Sequence, residues 1–409
     1  MTIYVHLINE IPVRLWGLSS RERVLRLLRP KCTPVLLDDL AELPPSATVL
    51  LLRGDYLFDA RVVQALADSE HTLLRLSENE RPIDVAARVP ARLAQPVRDR
   101  LLDDRGGPPL PGDVTVVTPS ALCPAFQERL LKADPPFVLP ITPQSRVALE
   151  RLLFGAAYKG ITDLVTKWVW PVPAEWGVRL CVRLGLKPNH VTGLSWLLAI
   201  TAGWLFATGH FATGLAVGWF MTYLDTVDGK LARVTVTASK VGHLFDHILD
   251  LAHPPLWYLA WGLGLGSYQP LWLPDNLNLA FWVIFAGYLV GRFTEGAFLL
   301  WLGRFGIFSW RKVDSYSRLI TARRNPCLIL LTLGTSANRP DLGLEAVALW
   351  TLVSTLFLLV RLAMASVRRL TGGPLRSWLA DLEQDASDRS LAVRWFARGR
   401  PEAGTTRSR

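Results

Sequence analysis

From about His190 onward the chain repeats one pattern: long apolar runs rich in Trp, Leu and Phe, separated by short polar stretches. A hydrocarbon layer roughly 30 Å thick is crossed by a helix of about 20 apolar residues. Within that layer backbone polar groups must bond inside their own segment, which leaves helices as the solution for runs of this kind. Six segments qualify, at 190–208, 211–227, 243–266, 279–302, 325–338 and 343–366, the fifth being the shortest. The expectation for this half is an all-α six-helix transmembrane bundle.

The loops orient the bundle. Lys230, Arg233 and Lys240 fall in 229–242, and Arg304, Arg311, Lys312, Arg318, Arg323 and Arg324 fall in 304–324. The 267–278 loop has no Lys or Arg, and 338–342 has only Arg339. The positive-inside rule then puts both termini in the cytoplasm. The first residues, MTIYVHLINEIPVRLWG, also lack the layout of a signal peptide. The net charge is +10, and the excess lies beside apolar spans. That placement favours a negatively charged lipid surface over nucleic acid as partner. Cys32, Cys123, Cys181 and Cys327 are far apart, which argues against a disulfide framework or a zinc site.

Residues 1–150 read differently. TIYVHLI, PVLLDDL, ATVLLLRGD and TVVTP have strand character, and SSRERVLRLLR and DARVVQALAD have helix character. Ser19 or Ser20 is placed to cap the first helix. This alternation predicts a cytoplasmic α/β domain with a largely parallel sheet. Residues 151–188 have broken apolar runs among Lys and Arg, as expected of an amphipathic linker lying in the membrane interface. The membrane domain is expected over 189–370. The Arg-rich tail at 371–409 is expected to be cytoplasmic, and disordered from about 385.

The chemistry concentrates between the second and third spans, in YLDTVDGKLARVTVTASKVGHLFDHILD. Asp225 and Asp228 are three apart and share a face at one helix end; Asp246 and Asp250 are four apart and share a face on the next. Carboxylates beside a hydrocarbon layer are costly, and by default mark function. Four together call for a cation, and hard oxygen donors suit Mg²⁺, Mn²⁺ or Ca²⁺. Gly229 permits close approach of a ligand, while Lys230 and Arg233 offer charge to phosphate oxygens. A metal-bound pyrophosphate fits this pattern.

The stretch resembles the signature of the CDP-alcohol phosphotransferases, D-x2-D-G-x2-A-R-x8-G-x3-D-x3-D, with every fixed position matched from Asp225 to Asp250. Pro188-Asn189-His190-Val191-Thr192 resembles the family's PN-x-[VI]-T segment ahead of the first span. The resemblance implies two divalent ions, Mg²⁺ or Mn²⁺, held by Asp225, Asp228, Asp246 and Asp250. It implies a cytidine nucleotide near Gly229, Ala232, Arg233 and Gly242, with Asn189 and Thr192 nearby. The implied reaction is attack of an acceptor hydroxyl on the β-phosphorus of a CDP-alcohol, with release of CMP. Asp250 is the family's usual base. Lys230 and Leu244-Phe245-Asp246-His247 resemble the choline and ethanolamine branch, so His247 is the alternative, histidine being the side chain whose unperturbed pKa lies near neutrality.

Neither donor nor acceptor is named by the motif: a lipid donor with a polar acceptor and a small donor with a lipid acceptor both fit. Homodimers occur often in this family. His243 and His253 are read as structural or interfacial. Arg292 and Glu295 are read as an ion pair or as part of an acceptor site. Arg323-Arg324-Asn325 is read as a contact for anionic lipid or for a phosphate on the acceptor.

The first 150 residues resemble the cytidylyltransferase part of bifunctional inositol phosphate cytidylyltransferase / di-myo-inositol phosphate phosphate synthase proteins. LLLRGDYLFDARVVQAL looks like their strand–GD–helix segment, with Asp55 at the metal-binding position. The glycine-rich phosphate loop is replaced by RLWGLSSRER, which keeps Gly17 and Arg21. A phosphate cradle needs more glycine. A degenerate nucleotidyltransferase-like fold without activity is therefore expected; a bifunctional enzyme that makes its own CDP-alcohol is the alternative. A membrane transporter with an acidic metal site is a distant third reading, since such sites lie near the midplane rather than at one end of a bundle.

Overall fold

The computed structural model describes residues 2–78, 81–103, 113–238, 240–266, 277–382 and 388–397. Strand β1 (Thr2–Ile8) leads to helix α1 (Ser20–Leu28), then β2 (Thr33–Leu36), β3 (Thr48–Arg53), β4 (Tyr56–Phe58) and α2 (Ala60–Asp68). Then come β5 (Thr72–Glu78), β6 (Arg81–Pro90), α3 (Ala91–Leu102), β7 (Thr115–Val117) and the short α4 (Pro119–Leu122). The main sheet has six strands in the order β2-β1-β3-β6-β5-β7. It is less parallel than expected: β6 runs antiparallel to both β3 and β5. The near-continuous apolar run of β3 reflects its central position. Leu50 and Leu52 pack with α1 and α2 on one face, and Val49 and Leu51 pack with α3 on the other.

Helix α1 begins where expected. Ser19 accepts from the Glu22 N–H at 3.1 Å, and the Glu22 carboxylate accepts from the Ser19 N–H at 3.0 Å. This reciprocal pair satisfies two of the helix's orphan donors. Beyond α4, β8 (Phe126–Gln127) and β9 (Lys132–Ala133) form a short hairpin, and β10 (Val138–Pro140) pairs with β4. Helix α5 (Arg146–Ala156) then leads towards the linker.

The linker contains α6 (Pro171–Arg183). Ala174, Val178 and Cys181 face inward, while Val172, Trp176 and Leu180 leave an exposed apolar stripe at four-residue spacing. Helices occupy all six apolar segments: α7 (Pro188–Ala207), α8 (Phe211–Val234), α9 (Lys240–Leu265), α10 (Leu277–Ala297, continued as π turns to Gly303), then α12 (Arg324–Ser336) and α13 (Pro340–Gly372). Among the described residues, three helices are long and apolar enough to cross a membrane by length and composition: Pro188–Ala207, Leu277–Gly303 and Pro340–Gly372. Between α10 and α12 lies the additional α11 (Lys312–Ile320).

Aromatic side chains knit the bundle. Phe206 of α7 meets Trp257 and Trp261 of α9. The Trp257 indole N–H donates to the Ala199 carbonyl at 2.8 Å, and that of Trp261 to the Pro340 carbonyl at 2.9 Å. Glycine sets the closest crossing, since a Cβ on Gly264 would lie 1.9 Å from the Phe206 carbonyl oxygen. Trp204, Trp282, Phe293, Leu300 and Trp301 point outward as exposed apolar surface.

Residues 388–397 of the tail are ordered, against the expectation of disorder from about 385. Helix α14 (Trp378–Asp381) and the turn Val393–Ala397 bury Trp378, Leu379, Val393 and Phe396 against Phe298, Phe305 and Trp310. The Arg-rich composition of the tail concealed this short apolar patch, which covers the linker at Gly160.

Candidate active site

Helix α8 carries Asp225, Asp228, Gly229, Lys230, Ala232 and Arg233 along its last three turns. The three-residue spacing brings Asp225 and Asp228 to one side. Helix α7 supplies the partner of Asp228: the Thr192 hydroxyl donates to one of its carboxylate oxygens at 2.7 Å, and Asp228 is 4% exposed. Asn189, one turn earlier on α7, is exposed. The start of α12 supplies the partner of Asp225, because Arg324 donates to its carboxylate at 2.5 Å. Gly229 lies under Arg233; a Cβ there would come 3.1 Å from the guanidinium.

Gly242, His243, Asp246, His247 and Asp250 fall on the first three turns of α9, but their side chains lie outside the described residues. The choice between Asp250 and His247 as base therefore lies outside them as well. Among the described residues, no three acids or histidines form a metal-binding group. The chemistry of the described half still suits a hard cation. It offers two carboxylates on one helix face, the deeper one oriented by a hydroxyl from a neighbouring helix.

A second polar cluster adjoins the first. Glu295 of α10 pairs with Arg292 at 3.5 Å and with Arg323 just ahead of α12. Asn325 donates to Asp163 at 2.9 Å and to the Thr166 hydroxyl at 3.2 Å. Burial works to raise the Asp163 pKa. Arg318 and the donors Asn325 and Thr166 outweigh it, leaving the carboxyl below its ordinary range. Arg318 Nη1 and Arg323 Nε are buried and have no hydrogen-bond partner among the described residues. Buried polar atoms are rarely left unmatched. The cluster therefore contains an excess of guanidinium donors aimed inward.

Sequence reasoning singled out Asp225, Asp228, Thr192 and the Arg292–Glu295 pair, and the structure joins Asp228 to Thr192 and Arg292 to Glu295. His253 is buried with its ring edge-on to Trp257, as the structural reading expects. It missed Asp163 and Thr166 in the linker, and the role of Arg324 as partner to Asp225. In the N-terminal domain, Asp55 is gripped by Arg53 through contacts of 2.7 and 3.0 Å. Arg21 is paired with Asp38 and Glu10.

Residues 186–358 match the family model described as CDP-alcohol phosphatidyltransferase. A relative from Rubrobacter xylanophilus, named bifunctional IPC transferase and DIPP synthase, is 28% identical over 205 residues, covering 50% of this chain and 44% of that protein. Choline/ethanolaminephosphotransferase 2 of Arabidopsis thaliana is 30% identical over 128 residues, covering 28% of this chain and 31% of that protein. The chain thus spans less than half the length of these curated relatives. Among solved structures, the phosphatidylinositol phosphate synthase of Mycobacterium tuberculosis with CDP-DAG bound is similar at a TM-score of 0.37 and 18% identity, covering 50% of this chain and 97% of that one. The same enzyme with manganese and citrate gives a TM-score of 0.36 and 19% identity, covering 49% and 90%.

Proposed function

We propose that this chain, which carries a CDP-alcohol phosphatidyltransferase domain at residues 186–358, moves a substituted phosphate from a CDP-alcohol to an acceptor hydroxyl and releases CMP. The observation that carries the reading is the meeting of Asp228 on α8 with Thr192 on α7. Two pieces of the signature, 36 residues apart, thereby form one site. Mg²⁺ or Mn²⁺ would be held by Asp225, Asp228, Asp246 and Asp250, two ions in all, and would neutralise pyrophosphate charge and ease departure of CMP.

The remaining steps fall to the chain's own groups. Thr192 holds the Asp228 carboxylate in one orientation. Gly229 and Ala232 keep the helix surface low where the nucleotide rests, with Gly242 and Asn189 bordering it. Arg233 supplies positive charge on that side, while Lys230 is buried with its ammonium on the Ala157 carbonyl and the Tyr158 ring. Asp250, or His247 in its place, takes the acceptor proton. The inward guanidinium donors of Arg318 and Arg323 favour an acceptor that carries an anionic group. The charged loops favour a multi-pass arrangement of six spans with the site and both termini on the cytoplasmic side, and lipids against the exposed aromatic faces.

We read the N-terminal domain as nucleotidyltransferase-like and inactive. Its strand–GD–helix segment is present, but Arg53 takes both oxygens of Asp55. The cavity between α1 and the β3–β4 turn is only about 10 Å³, lined by Leu15, Arg53, Tyr56 and Phe58 among others. That volume holds at most one water. The full chain should therefore leave CTP unchanged when given a sugar or polyol phosphate.

The test is CMP release by purified full-length protein with Mg²⁺ or Mn²⁺ across a panel of CDP-alcohols. We expect release from at least one donor and loss of it in Asp225→Asn. No release from any donor, with wild type indistinguishable from that variant, would sink the proposal.

A further inference from the structure

Helix α13 is longer than the layer it can cross. Its 33 residues rise about 50 Å at roughly 1.5 Å each, against a hydrocarbon thickness of roughly 30 Å. Between Ala346 and Val367 the sole charged residue is Arg361, and Arg368 and Arg369 follow at once. The edge of the hydrocarbon therefore falls near Arg368, and the last turns of α13 stand at the depth of lipid headgroups.

Arg361 is neutralised inside the fold. Its guanidinium donates to both oxygens of Asp314 on α11, at 2.5 and 2.9 Å. It also lies over the Trp310 ring, 4.4 Å from the centroid, and Arg311 approaches the same ring at 5.6 Å. Next to this packed arginine is an open groove of about 550 Å³. Trp310, Met364 and Val367 line it with apolar surface, and Arg311, Arg368 and Thr371 with polar groups. Arg311 and Arg368 are exposed, and among the described residues neither forms a salt bridge. From the groove an exposed apolar stripe runs back along α13 through Val367, Met364, Val360, Leu356, Val353 and Leu349, at spacings of three or four.

We propose that this groove binds one anionic phospholipid, its phosphate between Arg311 and Arg368 and an acyl chain along the stripe. Two uncompensated guanidinium groups at headgroup depth attract a negative headgroup. The stripe gives the attached chain an apolar track. Other occupants fit less well. A soluble anion makes no use of the stripe. A second copy seated by two-fold symmetry would set the same arginines against one another. The chain's own end, 398–409, carries four arginines against Glu402 alone, so the groove repels it. The inference needs α13 to cross the membrane, and it stands apart from the proposed phosphate transfer.

The experiment is native mass spectrometry of the full-length protein, delipidated in detergent and titrated with phosphatidylglycerol or with phosphatidylcholine of the same chains. The first phosphatidylglycerol adduct should form at least about tenfold more tightly than the phosphatidylcholine one. Arg311→Gln and Arg368→Gln should each weaken it about fivefold and leave the phosphatidylcholine adduct unchanged, as expected for one cation near a lipid headgroup. Both side chains are exposed, so each variant should keep the wild-type thermal midpoint. Arg369→Gln removes the same charge at the same depth but outside the groove, and should stay within about twofold of wild type. Excess glycerol 3-phosphate should leave the adduct in place. Equal binding of the two lipids, or an Arg369→Gln loss as large as that of Arg368→Gln, would overturn the proposal. Displacement by glycerol 3-phosphate, or a dimer that forms and excludes the lipid, would overturn it too.

Discussion

Replacing Thr192 by valine keeps the branched shape of the side chain and removes its hydroxyl. That hydroxyl has one proton to give. It lies 2.7 Å from the Asp228 carboxylate and 3.1 Å from the Pro188 carbonyl, so the carboxylate takes the stronger bond. A hydrogen bond to a charged group contributes about 1.5–3 kcal/mol. Asp228 is nearly buried, so water cannot readily replace the lost donor. At about 1.4 kcal/mol per tenfold, Thr192→Val should weaken Mn²⁺ binding by roughly ten- to a hundredfold. Losing a partner that orients a metal ligand usually costs a similar factor. Titration of free Mn²⁺ followed by electron paramagnetic resonance reads this directly, without knowledge of the substrate. CMP release should recover in the variant as Mn²⁺ is raised. A variant that titrates like wild type would show that the Thr192–Asp228 bond does not orient a metal ligand. Activity lost equally at every Mn²⁺ concentration would refute the argument in the same way.

Two further outcomes concern the linker. A Cβ on Gly160 would lie 2.2 Å from the Phe396 carbonyl oxygen and 2.3 Å from that of Leu131. Backbone cannot yield as a side-chain tip can, so Gly160→Ala should cost about 3 kcal/mol, the upper end for overpacking. It should release the 388–397 segment, seen as faster proteolysis there and a lower thermal midpoint; unchanged proteolysis would refute the packing. Burial presses Lys167 down to about 8. Between that value and the ordinary lysine value of about 10.4 the unfolded chain binds more protons than the folded one, so this group's contribution to stability rises with pH. Lys167→Met should remove that slope. Its advantage in thermal midpoint over wild type should be largest below pH 8 and shrink towards pH 10, and a constant difference would count against the burial.

What could be read from the chain alone divides along physical lines. The length of the apolar runs located six helical segments, three of them long and apolar enough to cross a membrane among the described residues, and residue type located the Ser19 cap. Spacing on one helix paired Asp225 with Asp228, and Arg292 with Glu295. The antiparallel β6 was missed because neither β5 nor β6 is among the segments with evident strand character, and two consecutive strands with no helix between them pair antiparallel. The contacts of Arg324 with Asp225 and of Asn325 with Asp163 join residues 99 and 162 positions apart. No period in the sequence marks either one. The arginines of 304–324 read as a basic cytoplasmic loop beside a lipid surface, with Arg323 and Arg324 open to anionic lipid or an acceptor phosphate, yet Arg318 has a buried guanidinium nitrogen and Arg361 of α13 pairs with Asp314.

Asp55 and Asp228 show why a motif and its chemistry can part company. Each is an aspartate in a recognisable signature. Asp55 stands two residues from Arg53, whose fork takes both carboxylate oxygens and neutralises the charge within the chain itself. A carboxylate already matched in that way has little to offer a cation. Asp228 accepts from a hydroxyl on a neighbouring helix, which orients the group. Asp225 is paired with Arg324, again from a different helix. That guanidinium would have to share the carboxylate with an incoming metal ion or yield it. The distinction is made by partners, and only folding brings them together: Thr192 lies 36 residues from Asp228, and Arg324 lies 99 from Asp225.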